Sequence, residues 1–343
     1  MLTIKRIRVL VIITFLILPS LEARADPVIP VYGFFISPIM GILYGHAEEI
    51  LYKYPGKDQY VSQLLWDLQP VYYAGLALDL GPRDPFVRHG FIAAASLKFG
   101  FPGKSGRMED RDWQYPDNER LTNFSRHDAY SKNAVLGDLS LGYSWGLQNI
   151  HALRASLDFS YMYLSWSAED GYFQYLDTDN FGNFIPGQTW NDKIRKEYVH
   201  GTGIEYTQIW FIISPGLSIK SKLSGALFLE GSLSYSPIIY SADRDDHLIP
   251  DRYYNGKRFS GYFFGGHYIE SGGGFVFSYF RNLDLCFSVS YRYITGLRGG
   301  TKYEYMYYGG SAGRSSNNAY DGGTGYSALD IGLTARFSIY GRD

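Results

Sequence analysis

The chain has 343 residues, with 32 Lys and Arg against 34 Asp and Glu and a formal net charge of −2. That balance argues against a nucleic-acid partner, whose phosphates need a basic footprint. One cysteine, Cys286, permits no intrachain disulfide and matches no metal pattern, so neither a metal nor another cofactor is expected.

In chain order, Lys5, Arg6 and Arg8 precede an apolar run from Val9 to Leu18 and the small-x-small sequence Ala23-Arg24-Ala25. This predicts a secretory signal peptide over 1–25, leaving 26–343 as a single domain. Beyond it no apolar stretch is long enough for a transmembrane helix. The chain is rich in Tyr (32), Phe (22) and Gly (39), yet its mean hydropathy is only −0.18. Strands that are apolar on one face alone produce that combination, which predicts an all-β, antiparallel, up-and-down transmembrane β-barrel.

Period-two alternation is strictest at the C-terminal end. Leu329, Ile331, Leu333, Ala335, Phe337 and Ile339 interleave with Asp330, Gly332, Thr334, Arg336 and Ser338. The same pattern covers 153–163 and 283–293, the latter with Cys286 on the polar face. Weaker candidates lie near 30–44, 64–80, 91–101, 135–145, 205–219, 225–240 and 262–279, which brings the expectation to about ten strands. Short connections near 81–90, 146–151, 220–224 and 280–282 alternate with long ones, as periplasmic turns alternate with extracellular loops. The segment 295–325, rich in Gly, Tyr and Asp, reads as one long exposed loop. The barrel is expected in the outer membrane of a diderm bacterium, in contact with outer-membrane lipid.

Two stretches on the outer rim carry candidate chemistry. Asp110 and Asp112, after the third strand, are two residues apart, so a continuing strand would put both carboxylates on one face, close enough to share a proton. Taken alone they read first as solvated loop acids. After the seventh strand, Asp245 and His247 repeat the spacing, and a carboxylate beside an imidazole can orient a general base. Glu48, Glu49, Glu109, Asp110, Asp112, Asp243, Asp245 and Asp246 together would make the rim strongly negative and attract Arg or Lys.

These residues resemble a known family. Asp110-Arg111-Asp112-Trp113 resembles the Asp-x-Asp-Trp signature of the omptins, outer-membrane proteases built as ten-stranded barrels. Asp245-Asp246-His247 is similar to their Asp-Glu-His element, and Ser125-Arg126-His127 to a Ser-Arg-His string. Gly41 to Gly45 with Glu49 and Tyr52, followed by Val61-Ser62-Gln63-Leu64, resembles their first hairpin. The resemblance implies an aspartic-type endopeptidase facing outside, in which a water is held between the Asp110/Asp112 pair and the His247/Asp245 pair. It assigns Ser125 a supporting part at most and gives Glu49 and Asp243 the basic side chain of extracellular polypeptide substrates. The family binds lipopolysaccharide through basic and polar residues. Phe159, Tyr161, Tyr163 and Ile209 stand at the aligned places and would not hold phosphate, which argues against a lipopolysaccharide requirement. The alternative is a non-catalytic barrel acting as an adhesin or small-solute channel, though ten strands leave little lumen. Lys257-Arg258 is a candidate self-cleavage site in the loop that also carries His247.

Overall fold

Alternating side chains define strands throughout the computed structural model. It describes residues 31–53, 59–114, 120–179, 183–185, 187–248, 256–280, 282–306 and 312–339; the segment 1–25, expected as a signal peptide, lies outside them. Ten antiparallel strands close into a ring of hydrogen bonds, each paired with its sequence neighbours and the last with the first. They are β1 (Tyr32–Tyr52), β2 (Tyr60–Pro82), β3 (Gly90–Gly100 continued by Gly103–Asp112), β4 (Asn123–Leu147) and β5 (His151–Tyr175). The ring continues through β6 (Thr202–Lys222), β7 (Leu227–Ser236 continued by Ile239–His247) and β8 (Lys257–Gly265 continued by His267–Phe280). It closes with β9 (Leu283–Thr295 continued by Arg298–Met306) and β10 (Ala312–Ser338). A two-residue strand, Glu197–Tyr198, pairs with β5 from the long connection that follows it.

Outward-facing Leu76, Leu78, Leu139, Leu141, Leu157, Phe211, Leu233, Phe287 and Leu333 are exposed and form an apolar belt around the half of the barrel nearest the termini. The strands are far longer than this belt: β1 has 21 residues and β4 has 25, where about 9–11 suffice to cross a bilayer. The surplus carries the ladder beyond the membrane, and the candidate residues sit on that extension. The segment 295–325, expected as a loop, is largely strand, with β9 and β10 paired from Gly299↔Gly322 to Met306↔Ala312. Its Gly and Asp content mimics turn chemistry, but ladder pairing beyond the lipid needs no continuous apolar face. Lys257 and Arg258 are likewise in strand β8, opposite His247 and Asp246 rather than in a loop. Their backbone is paired on both sides, which removes the basis for self-cleavage there.

Polar side chains cross-brace the lumen within the belt. Arg292 of β9 donates to Glu270 of β8 at 3.0 Å and pairs with Asp138 of β4 at 3.6 Å. Lys98 of β3 donates to Asp330 of β10 at 2.8 Å, and the Tyr73 hydroxyl of β2 donates to the same carboxylate. Trp66, Trp166, Tyr206, Trp210, Met108 and Met162 are fully buried above this network and form a floor under the outer mouth. Arg292→Met strips Glu270 and Asp138 of their cation while keeping the side-chain volume. Taking the cation from these part-buried carboxylates costs less than the ~3–5 kcal/mol of a fully buried pair, and urea unfolding of the variant in detergent should still show a lowered midpoint.

Candidate active site

β3 and β7 present alternate residues to the inside of the outer mouth. Asp110 and Asp112 of β3 point inward, and Asp243, Asp245 and His247 of β7 do the same. The strand therefore does continue through Asp110 and Asp112, and they share a face. β1 adds Glu49 to the same cleft. The intervening residues face outward: Glu109 accepts from Arg111 and Arg126 at 2.6 Å each, and Asp246 accepts from Arg244 at 2.5 Å and Arg258 at 2.6 Å. Glu48 accepts from Gln63 Nε2. Three of the eight acids expected to charge the mouth thus belong to the outer wall, two of them neutralised by arginines. The cleft holds the other five.

His247 Nε2 donates to Asp245 Oδ2 at 2.7 Å, which leaves Nδ1 as the nitrogen free to take a proton. The Asp245 side chain is 3 % exposed and that of His247 35 %, so the pair is anchored at one end and open to the cleft at the other. Phe259 packs its ring against the imidazole at 5.4 Å. Burial alone would lower the His247 pKa, but the Asp245 charge and hydrogen bond, with Asp110 and Asp112, outweigh it and lift it to about 9. The acid pair thus acts on His247 across the mouth.

Asp110 is pushed well above the usual carboxylate range, first by burial and then by the Asp112 charge. Asp112 is raised as well, chiefly by burial, against hydrogen bonds from Asn123 and Ser62 that favour its ionised form. Glu49 is raised well above its ordinary value by burial, then by Asp245, Asp243 and Asp110. Burial followed by Asp245 carries Asp243 up to about 7. Five carboxylates crowded beside one imidazole cannot all ionise at neutral pH. One Glu49 oxygen and one Asp245 oxygen are buried with no hydrogen-bond partner, acceptors left for a donor that enters the cleft.

The aromatic floor supports the acids from below. The Tyr206 hydroxyl donates to Asp243 Oδ2 at 3.2 Å, and Gln208 Nε2 donates to that hydroxyl at 2.8 Å and to the Glu48 carbonyl at 2.9 Å. Tyr206 is stacked on Trp66 at 5.3 Å and on Trp166 at 5.9 Å, which fixes its ring. Ser125 is buried on β4 directly opposite Asp110. Two residues on, the β4–β5 register slips between Arg126 and Asp128, where Asp170 and Gly171 of β5 bulge opposite the single residue His127. Asp170 and Gly171, at φ 53° and 109°, turn the Asp170 carbonyl to accept from His127 Nδ1 at 2.5 Å. His127 Nδ1 therefore carries the proton, and burial, with the His247 charge adding to it, keeps the pKa of this second imidazole low.

Asn123, Tyr206 and Gln208 were not singled out in the sequence, since no motif marks them, and Ser62 entered only within the Val61-Ser62-Gln63-Leu64 string, with no role. Only the cross-strand register brings them to the acids. Among the described residues, no group of three or more His, Cys, Asp and Glu is placed to hold a metal ion. Phe159, Tyr161, Tyr163 and Ile209 lie on the barrel wall, where Tyr163 pairs with Ile209 and the Tyr161 ring packs on Phe211 at 5.2 Å.

A closed antiparallel barrel with an apolar belt, its outer mouth holding an acidic cleft with one imidazole, defines an outer-membrane barrel with the groups for hydrolysis. The model of the Omptin family matches residues 32–337, and the chain belongs to that family. It is an outer-membrane protease of a diderm bacterium. Among solved structures it is similar to the outer membrane protease OmpT from Escherichia coli, with 18% identity and a TM-score of 0.75, covering 92% of this chain and 100% of that one. The translocator domain of the autotransporter NalP from Neisseria meningitidis matches at 12% identity and a TM-score of 0.33, covering 94% and 93%. The toluene transporter TodX from P. putida matches at 10% identity and a TM-score of 0.29, covering 90% of each chain. No curated protein matches the sequence.

Proposed function

We propose that the protein is an endopeptidase that cleaves extracellular polypeptides next to basic residues, by a water activated between Asp110/Asp112 and His247/Asp245. The observation that carries this reading is that two pairs, from strands on different parts of the ring, share one cleft and act on each other's charge. His247 Nδ1 takes the proton of the attacking water, Asp245 orients and stabilises the resulting imidazolium, and the acid pair receives the carbonyl oxygen and supplies a proton. No acyl-enzyme is involved, so Ser125 acts at most by packing against Asp110. Glu49 and Asp243, with a free buried oxygen and an aromatic floor beneath, suit the cationic head of Arg or Lys. Phe159, Tyr161, Tyr163 and Ile209 offer ring and alkyl surface, which supports activity without lipopolysaccharide.

Protein folded in detergent, with and without lipopolysaccharide, should cleave a peptide containing Arg-Arg or Lys-Lys and spare its Gln-Gln counterpart. Failure of the folded protein to cleave under either condition would remove the reading.

The raised His247 pKa adds a pH signature. In the empty cleft the imidazole is held protonated up to about 9, and a base must be neutral to act. A cationic side chain entering among the acids opposes the charge on His247 and lowers its pKa. The acidic limb of kcat/KM, which reports the free enzyme, should therefore lie at higher pH than the limb of kcat, which reports the complex. Coincident limbs would show that substrate charge does not reach His247.

A further inference from the structure

Asp110 and Asp112 are the same chemical group, yet their neighbours differ. Asp112 lies between Ser62 of β2 and Asn123 of β4, the residues directly opposite it on either side. Asp110 lies between Leu64 and Ser125. Asn123 Nδ2 donates to Asp112 Oδ2 at 3.2 Å. An amide nitrogen only donates, so this contact asks Asp112 for an acceptor oxygen, and the ionised carboxylate is acceptor on both. Asn123 is buried and its Oδ1 has no partner. With the amide reversed, that oxygen would need the proton of a neutral Asp112, so the orientation in which Nδ2 faces the carboxylate is the one that favours the anion.

Asp110 is held differently. It accepts from Ser62 Oγ at 3.3 Å, a hydroxyl that also reaches Asp112 and can equally accept the proton of a neutral acid. Leu64, buried on its other side, offers nothing to a charge.

We propose that Asn123 is a positioning residue that keeps Asp112 ionised and leaves the proton of the acid pair on Asp110, so that Asp112 is the anion presented toward His247. This deepens the proposed hydrolysis and rests on it. The titratable groups facing the pair are His247 and Asp245 of β7, Glu49 of β1 and Tyr175 of β5, with His127 of β4 acting on His247. A charged His247 favours ionisation of both acids, whereas Asp245 and Glu49 press on Asp110. The surroundings therefore reinforce the asymmetry that the hydrogen bonds impose. The pair enters the reaction with one acid able to give a proton and one carboxylate able to accept one.

Infrared titration of the folded protein carrying carbon-13 aspartate carboxyls tests this without any substrate, the pair being assigned by difference against Asp110→Asn. Asn123→Ala should take up the second proton of the pair at a pH higher by about one unit, since a donor to the ionised form has gone. Asn123→Ser, which keeps a short donor across the ladder, should restore the original titration. In peptide cleavage both amides should lower kcat, Asp110→Asn by removing the proton that the pair gives and Asp112→Asn by removing its anion. An Asn123→Ala titration that coincides with the wild type, or full kcat in either amide, would overturn the assignment. If no variant or wild type cleaves peptide, the hydrolysis reading fails while the titration still decides where the proton sits.

Discussion

His247→Gln is expected to lower kcat for a peptide with a basic residue at the cleaved bond by about 10²- to 10⁴-fold, the range of a general base. Glutamine can still donate to Asp245, so the cleft keeps its shape and loses only basicity. His247→Ala removes the one imidazole among five acids and should be at least as inactive. Asp112→Ala should lose a comparable factor, because the developing charge then lacks its partner across the cleft. Glu109→Gln, one residue away on the outer face of the same strand, should leave kcat close to wild type. The pattern of Asp110, Asp112 and His247 sensitive and Glu109 insensitive is the measurement that matters. Full activity in His247→Gln would sink the role given to the imidazole and leave the fold untouched.

The second large effect couples specificity to stability. Glu49→Gln with Asp243→Asn should lower kcat/KM for basic substrates by about 10²-fold or more, since removing one side of a buried charge pair costs about 2–5 kcal/mol. The same double variant should be the more stable protein at neutral pH. The folded-state pKa of Asp243 is raised from 3.8 to about 7, and that of Glu49 moves the same way. Folding therefore strengthens proton binding at both. Their contribution to stability is complete below the unfolded-state values and is lost as pH rises through the folded-state ones. Above about 7 the wild type bears the cost of buried, mutually repelling carboxylates, whereas the amides do not. Urea unfolding in detergent should show the variant ahead by about 1–3 kcal/mol under mildly alkaline conditions and level with the wild type below the ordinary carboxylate pKa. Equal stabilities at both pH values would mean that solvent already relieves the repulsion.

Much of this was legible in the sequence. Alternation at 329–339 and 153–163 gave the strands, and their number gave the barrel. Two-residue spacing put Asp110 with Asp112 and Asp245 with His247. The same rule, applied to Glu109, Asp246 and Glu48, would have turned them outward; counting charge along the rim overlooked it. Asn123, Tyr206 and the role of Ser62 stayed hidden for a different reason. Their meaning lies in which residue stands opposite on the next strand, and register is a property of pairs of strands, not of either sequence. The bulge at Asp170-Gly171, opposite His127, is hidden for the same reason. The segment 295–325 misled because glycine, tyrosine and aspartate serve a ladder above the membrane as readily as they serve a turn.

Ring closure bears on which polypeptides this mouth can accept. β3 and β7 lie on different parts of one continuous ladder, so the walls that carry the acid pair and the imidazole cannot swing together as a lid or part as a jaw without tearing backbone hydrogen bonds. The gap is a fixed gauge. A chain must arrive thin and extended, and a folded protein offers such a chain only when a segment frays or opens locally. When that opening equilibrates faster than cutting, the rate on folded targets follows the equilibrium between their closed and opened forms, so destabilising a target near a basic pair should hasten its cleavage with no change in the enzyme.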